Sequence, residues 1–121
     1  FLLAAEQGDA QSQFSLGVRW ARGEAGEPQD FAEAAKWFRL AADQGLDDAQ
    51  LSLGRRYANG EGVAQDYVEA YKWVLLAQEQ GKVTGAGKLL SELTPKMTAD
   101  QINTAKQRAR AFVPKAGIPL R

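Results

Sequence analysis

The stretch QFSLGVRWARGEAG at residues 13–26 returns as QLSLGRRYANGEG at residues 50–62. A second matched pair follows, with QDFAEAAKW at 29–37 and QDYVEAYKW at 65–73. The first pair begins at an offset of 37 residues and the second pair is offset by 36, because one extra residue stands near Ala25 in the first copy. Self-similarity at a period of about 20 to 50 residues is typical of repeat architectures. The sequence therefore predicts stacked copies of one structural unit.

Each unit contains two segments with the apolar spacing of amphipathic helices. The first segment of each unit contains a glycine among its apolar residues, Gly17 in the first unit and Gly54 at the equivalent position in the second. A glycine inside a helix costs about 1 kcal/mol relative to alanine, so its recurrence predicts that a neighbouring helix approaches closely there. The apolar positions predicted to be buried with these glycines are Phe14, Leu16 and Trp20 in the first unit and Leu51, Leu53 and Tyr57 in the second.

Polar residues and glycines mark where the helices begin and end. Asp30 and Asp66 each stand three residues before a glutamate, which is the capping-box pattern at a helix start. Gly45 and Gly81 follow the second helices and are predicted to end them in left-handed backbone geometry. By the same reasoning, Asp47 with a glutamine three residues later predicts the N-cap of the second unit's first helix.

The second helix of each unit carries a tryptophan on its apolar stripe, Trp37 in one unit and Trp73 in the other. These rings recur at repeat positions, so they are interpreted as core residues rather than as a ligand-binding box. The stripe is predicted to continue through Leu40 and Ala41 in the first unit and through Leu76 and Ala77 in the second.

After residue 81 the repeat decays, although helical spacing persists to residue 113. Solenoids need atypical end units with a more polar outer face, so residues 82–113 are predicted to form a C-terminal capping pair. Its last helix is expected to begin at a capping box formed by Thr98 and Gln101 and to end before Pro114. The inward face of that helix is predicted to consist of Ile102, Ala105, Ala109 and Phe112.

Length and composition fit one folded domain. The chain has 121 residues, of which 45% are hydrophobic and 25% charged, an ordinary globular mixture. No apolar run reaches the length of a membrane span, and residues 1–5 lack the basic leader of a signal peptide. Because the chain does not begin with Met, it is expected to be a fragment of a longer protein. Without cysteine, periplasmic, secreted and cytoplasmic locations are all compatible with the sequence.

Charge argues against two classes of partner. Fifteen basic residues balance fifteen acidic ones, which removes the basic field that nucleic-acid or anionic-membrane binding usually needs. The balance is uneven along the chain, with six basic and nine acidic residues in 1–60 and nine basic and six acidic residues in 61–121. This gradient has two interpretations, an ordinary solvated surface or end-to-end self-association of the chain.

The residue types also argue against catalysis. The chain has no histidine and no cysteine, the commonest general base and the strongest side-chain nucleophile. Asp47 and Asp48 are adjacent, and helix capping with a favourable first-turn charge is weighed there against a metal or acid–base role. The glycine-rich stretches 23–26 and 60–62 lack the strand and lysine of a phosphate-binding loop and are interpreted as turns. No catalytic, cofactor or metal residue is therefore assigned.

One ordered pattern runs through residues 16–45 and again through 53–81: Leu-Gly, an aromatic residue, Gly-x-Gly, Asp, Ala-x-x-Trp and Ala-Ala-x-x-Gly. This pattern resembles the Sel1-like repeat of the tetratricopeptide superfamily. The resemblance covers about residues 10–81, and it departs from the family pattern at Ala25, an insertion, at Glu27, where an apolar residue is usual, and at Gln78, which replaces the second alanine.

What the resemblance implies is an all-α, right-handed α/α superhelix of antiparallel helix pairs. Residues 9–45 and 46–81 would form two full repeats, preceded by the end of another unit at 1–8 and followed by an irregular tail at 114–121. Members of the family act as scaffolds and adaptors, and the first helix of each repeat lines a concave surface. Similar bacterial proteins serve secretion, envelope assembly, host interaction and signalling.

Positions carried over from similar tetratricopeptide units indicate which residues would line that surface. Three of them are arginines, and these would suit an acidic segment or a C-terminal carboxylate, with solvated surface arginines as the alternative interpretation. Three functions stay open: an adaptor for a protein or peptide, a structural spacer or oligomerisation module, and a regulatory segment of a larger, enzymatic protein. The candidate positions are Gln11, Phe14, Val18 and Arg22 in the first unit and Asp48, Leu51, Arg55, Arg56 and Asn59 in the second.

Overall fold

The computed structural model describes residues 5–23 and 28–114. These residues form helices without any strand, which confirms the predicted all-α fold. Six α-helices occur in order: α1 (Ala10–Arg22), α2 (Phe31–Asp43), α3 (Asp47–Asn59), α4 (Tyr67–Glu79), α5 (Ala86–Leu93) and α6 (Ala99–Ala111), with a 3₁₀ turn (Thr94–Lys96) after α5. Helices α1 and α2 form one antiparallel pair and α3 and α4 form another, and α3 packs on α2, so the pairs stack as a solenoid.

Within each pair, the two helices approach each other closely at the predicted glycine. A Cβ atom at Gly17 would lie 2.6 Å from the ring of Phe38, and one at Gly54 would lie 2.6 Å from Cγ2 of Val74. Both distances are too short for real carbon atoms, so any side chain there would push the helices apart. The predicted close approach is confirmed.

Aspartates begin the second helices as predicted, but only half of each capping box forms. The carboxylates of Asp30 and Asp66 each accept a hydrogen bond from the main-chain N–H three residues later, at 3.1 Å. The reciprocal half of the prediction is wrong, because the N–H groups of the two aspartates donate elsewhere, to the carbonyls of Trp20 at 2.8 Å and Tyr57 at 3.0 Å. These bonds tie the end of each first helix to the start of the second.

Helix α3 begins one residue earlier than the sequence suggested. Its N-cap is Leu46, which makes no side-chain cap bond, and Asp47 is the first helical residue. The carboxylate of Asp47 accepts from the N–H of Asp48 at 2.8 Å. The predicted partner, Gln50, is buried and donates to the carbonyl of Ala42 at 3.3 Å, so it is not available to complete a capping box.

The predicted stripe forms the core. Trp37 is buried, and only 1% of Trp73 is exposed, so the interpretation of both rings as core residues is confirmed. The left-handed ends are also confirmed, with φ of 94° at Gly45 and 74° at Gly81. The turn at residues 60–62 is observed, whereas residues 24–27 of the equivalent loop lie outside the described part.

Buried glutamines connect one helix pair to the segment before it. Gln13 and Gln50 are each 1% exposed. The side-chain amide of Gln13 donates to the carbonyl of Ala5 at 3.1 Å, and that of Gln50 donates to the carbonyl of Ala42 at 3.3 Å. The carbonyl of Ala5 therefore has the same role for the first helix pair as the carbonyl of Ala42 has for the second.

A second glutamine completes each of these contacts at the end of the same helix pair. The amide of Gln44 donates to the side-chain oxygen of Gln13 at 2.9 Å, and that of Gln80 donates to Gln50 at 3.0 Å. Gln80 also donates to the carbonyl of Gly45 at 2.7 Å. We call these four glutamines the amide relay. It satisfies buried polar groups at both junctions, where an unpaired amide would be costly.

The C-terminal helices depart from the repeat, because α5 and α6 both pack on α4 rather than chiefly on each other. The predicted capping box at the start of α6 is confirmed, with Thr98 N–H donating to Gln101 at 2.8 Å and Gln101 N–H donating to Thr98 at 3.1 Å. After α6, the ring of Phe112 lies edge-on to Trp73, with centroids 5.4 Å apart. On the predicted inward face, Ala105 and Ala109 are buried and Ile102 and Phe112 are half-buried.

Candidate functional site

A groove of about 430 Å³ opens where α1 and α3 lie side by side over α2. Its wall from α1 is mostly apolar, its floor comes from α2, and α3 supplies a hydroxyl and a guanidinium. We call it the first-helix groove. Its lining consists of Phe14, Val18, Ala21, Arg22, Phe31, Phe38, Ser52 and Arg56.

Aromatic rings shape the groove. The rings of Phe14 and Phe38 are tilted at 41° with centroids 5.6 Å apart. Phe38 is buried, whereas Phe14 and Phe31 are half-buried and keep part of their surface in the groove. Half-exposed aromatic rings over a packed core suit an apolar side chain of a partner.

Arg56 contacts two aromatic rings and one carboxylate. Its guanidinium carbon lies 5.3 Å from the ring centroid of Phe31 and 5.9 Å from that of Phe38. Its Nη1 donates to Oε1 of Glu61 at 3.1 Å, and only 19% of the side chain is exposed. An arginine stacked on aromatic rings loses less conformational freedom on binding than a solvated one.

The loop after α3 places Glu61 beside that arginine. The N–H of Glu61 donates to the carbonyl of Arg56 at 3.0 Å, and the amide of Asn59 donates to Oε1 of Glu61 at 3.3 Å. Next in the loop, Gly62 has a φ of 79°, and a Cβ atom there would overlap the carbonyl of Phe31. The loop is therefore anchored against the start of α2.

The structure brings together four of the nine candidate positions. Phe14, Val18, Arg22 and Arg56 line the first-helix groove. The other five do not line it: Gln11, Asp48, Arg55 and Asn59 are exposed elsewhere along the first helices, and Leu51 is 7% exposed within the core.

The sequence analysis missed four other lining residues, because it took its candidates from selected positions of the first helices; these residues are Ala21, Phe31, Phe38 and Ser52. Phe31 and Phe38 belong to α2 and are separated by seven residues, two helical turns, so their shared face was readable from the spacing. The contribution of Ser52 and the contact between Arg56 and Glu61 depend on how the units stack, and no local pattern indicates them.

The groove is not repeated in the next unit. At the position of Val18 the second unit has Arg55, and at that of Phe38 it has Val74. The guanidinium of Arg55 lies toward the start of α5, with Nη2 3.3 Å from where a Cβ atom of Gly85 would be. Among the described residues, the combination of an aromatic floor from the first repeat and a stacked arginine from the second therefore occurs where these two repeats meet.

Among the described residues, no group of three or more acidic side chains is placed to hold a metal ion. None of the described helices has the length and apolarity needed to cross a bilayer. A second cavity, of about 300 Å³, lies between the amide relay and the end of α6. It is lined by Gln44, Gly45, Gln50, Leu76, Glu79, Gln80, Phe112 and Pro114.

Comparisons with known proteins agree with this architecture. The family model described as Sel1 repeat matches twice, at residues 10–46 and 47–82. A search of curated proteins gives no significant match.

Two solved structures show the same fold. One is a protective antigen present in uropathogenic Escherichia coli strains and displaying an SLR fold, 34% identical, with a TM-score of 0.85 over 94% of this chain. The other is a Sel1 repeat protein from Oxalobacter formigenes, 41% identical, with a TM-score of 0.70 over 74% of this chain. The chain spans about a quarter of the length of each, 24% and 25%.

The two family matches together cover more than half of the chain, and they coincide with the two helix pairs whose glycines, caps and glutamines repeat in the structure. The resemblance noted from the sequence is thereby confirmed, and the chain belongs to the Sel1 repeat family.

Proposed function

We propose that this chain is a non-catalytic adaptor that binds a protein or peptide in the first-helix groove. Sel1 repeats generally mediate protein–protein interaction, and their scaffold is typically non-catalytic, which supports the proposal. The observation that carries it is the groove itself, a concave site with half-exposed phenyl rings beside a stacked arginine. Apolar pockets with a few placed polar groups are the usual form of a binding site.

The chemistry of the groove favours one kind of partner. An apolar side chain would contact Phe14 and Phe31, and a carboxylate, from an acidic residue or a C-terminus, would face Arg22 and Arg56. Arginine binds carboxylates through two parallel hydrogen bonds, which adds direction as well as strength. Among the exposed candidates outside the groove, Gln11 would extend the contact along α1.

A second candidate function is that of a spacer or regulatory segment in a longer chain. It is favoured by the junction at residue 5, where Gln13 makes the contact that Gln50 makes at the next junction, because such junctions allow further units to stack. Sedimentation at rising protein concentration tests the self-association that a stacking module predicts, and a monomer throughout would oppose it.

The adaptor proposal is tested with Val18→Glu, which places a carboxylate in the groove beside its arginines and should repel an acidic partner. The fold should tolerate this change, since a long charged residue, Arg55, occupies the same repeat position in the second unit. Arg55→Val, which lowers the net charge equally, is the matched control outside the groove. Both variants should melt at temperatures close to wild type, as checked by circular dichroism.

Wild type, Val18→Glu and Arg55→Val would each be used to capture proteins from a lysate of the source organism, and captured proteins would be purified and titrated against all three. A partner that binds wild type and Arg55→Val but loses affinity for Val18→Glu by about tenfold or more, 1.4 kcal/mol, supports the groove. If the partner binds all three proteins with equal affinity, the binding site lies on another surface. If wild type captures no partner, the result favours the spacer function.

A further inference from the structure

We propose that Glu61 is a built-in occupant of the Arg56 site and that an acidic partner binds the first-helix groove by exchanging its own carboxylate for that of Glu61. The inference rests on the proposed function and names what regulates its site. Glu61 then sets how acidic a partner must be before it binds.

The first step is that Arg56, which lines the groove, already binds a carboxylate. Its Nη1 lies 3.1 Å from Oε1 of Glu61, a charge-assisted hydrogen bond. Its Nε is buried without a hydrogen-bond partner, so Glu61 satisfies only part of the guanidinium. A carboxylate that approached the fork of the guanidinium squarely would make two bonds where Glu61 makes one.

The second step is that the arginine does not depend on Glu61 for its place. The rings of Phe31 and Phe38 lie within 6 Å of its guanidinium carbon, at 5.3 and 5.9 Å, and both belong to α2. When the carboxylate of Glu61 leaves, the guanidinium keeps its stacking partners. The site is therefore ready for another anion.

The third step is that Glu61 can leave without unfolding its loop. The main chain of the loop is held by the bond from Glu61 N–H to Arg56 and by the contact of Gly62 with Phe31. Only the side chain of Glu61 has to rotate toward solvent, where it is already half-exposed. Rotamer changes at interfaces are common in binding, whereas movements of the main chain are less so.

The proposed exchange predicts the direction in which the affinity for acidic peptides changes when Glu61 is neutralised. Removing the charge of Glu61 should raise the affinity for acidic peptides, because the partner's carboxylate no longer competes with an internal one. If Glu61 instead positions Arg56, the same change should lower that affinity. For a peptide without acidic groups, the exchange predicts no change.

The probe is a fluorescein-labelled peptide with one phenylalanine flanked by aspartates in a glycine and serine background, and the control peptide has asparagine at each aspartate. Binding is measured by fluorescence anisotropy for wild type, Glu61→Gln and Glu69→Gln. Glu69 is the matched control, because its ion pairs with Lys72 and Arg108 lie outside the groove and its loss changes the net charge equally. We expect Glu61→Gln to bind the acidic peptide about two- to fivefold more tightly, and Glu69→Gln to match wild type.

Two further variants separate the possible failures. In an Arg56→Met background, Glu61→Gln should give no gain, because the shared cation is gone. Unchanged or weaker binding by Glu61→Gln, or an equal gain from Glu69→Gln, would overturn the exchange while leaving the adaptor function intact. If wild type does not bind the acidic peptide, or if Val18→Glu binds it as well as wild type, the proposed groove fails and the exchange fails with it.

Discussion

The junction between the two repeats and the junction between the second repeat and the C-terminal unit are built differently. At the first, Gln50 reaches back to the preceding helix and Gly62 presses against the carbonyl of Phe31. At the second, alanine stands at position 86, five residues after Gly81, where the repeat would place the next buried glutamine. Helix α6 crosses back onto α4 instead, with Phe112 against Trp73.

The difference between the two junctions shows two ways in which a helix pair can be covered by the next segment of the chain. A repeat junction uses directional hydrogen bonds between fixed positions, so the same residue types recur at a fixed spacing. The terminal junction uses apolar burial and one surface ion pair, which many sequences can supply. Loss of the repeat pattern after residue 81 therefore does not mean loss of structure.

The largest expected effect is that of Trp73→Ala, because Trp73 lies at the core of the second repeat and also supports the terminal junction through Phe112. Removing a buried aromatic ring costs about 3 to 5 kcal/mol. Urea unfolding followed by circular dichroism measures the loss, with Trp37→Ala as the comparison in the first repeat. Because Trp73 and Phe112 share a contact, the double change with Phe112→Ala should cost less than the sum of the single changes. Near-neutral results at both tryptophans would contradict the core described above.

Gly62→Ala and Gly81→Ala compare the two junctions at positions that share left-handed backbone, with φ of 79° and 74°. At Gly62 the new Cβ atom would also overlap the carbonyl of Phe31, whereas at Gly81 it would meet nothing within 4 Å. The free energy of unfolding should fall by about 2 to 4 kcal/mol at Gly62 and by about 1 kcal/mol at Gly81. Equal losses in thermal or urea unfolding would mean that the loop does not press on α2.

Gln50→Leu tests the amide relay. The change keeps the approximate volume but leaves the carbonyl of Ala42 without its buried donor and leaves Gln80 with only its bond to Gly45, which should lower the free energy of unfolding by about 1 to 3 kcal/mol. Gln107→Leu, on the exposed side of α6, is the control and should stay within about 0.5 kcal/mol of wild type. If both leucine variants unfold alike, the relay does not stabilise the repeat junction.

The smallest effect is expected for Arg108→Ala, which removes the ion pair to Glu69 at 3.0 Å. Half of the Arg108 side chain is exposed, so the loss should be about 0.2 to 1 kcal/mol and should shrink at high salt. Arg110→Ala is the matched control on the same helix. A loss above that range, or one insensitive to salt, would mean that α6 depends on this pair more than on Phe112.

Much of the helical architecture was predictable because its signals are local. Gly17 and Gly54 indicated close packing, Asp30 and Asp66 indicated helix starts, and Trp73 indicated the core. Each of these inferences depends on residues within a few turns of one another. The exact start of α3 was not predictable in this way, because the side chain of its expected capping partner is used in a contact with the preceding repeat.

The candidate site was predictable only in part. Phe14, Val18 and Arg22 follow from their positions on the first helix, but the floor of the groove and the pairing of Arg56 with Glu61 do not. Those contacts join segments whose relative positions are set by the stacking of one helix pair on the next.

Repeat spacing, caps and apolar stripes along the chain were sufficient to establish helix pairs, their stacking and membership of one repeat family. Only the packing of distant segments decided that α5 and α6 both cover α4, that buried glutamines join each helix pair to the segment before it, and that an arginine in a groove lies within 6 Å of two phenyl ring centroids. The physical reason is the separation along the chain of the residues that decide each property. Helix formation and capping are decided within about two turns, whereas a binding surface depends on which side chains the completed fold brings into contact.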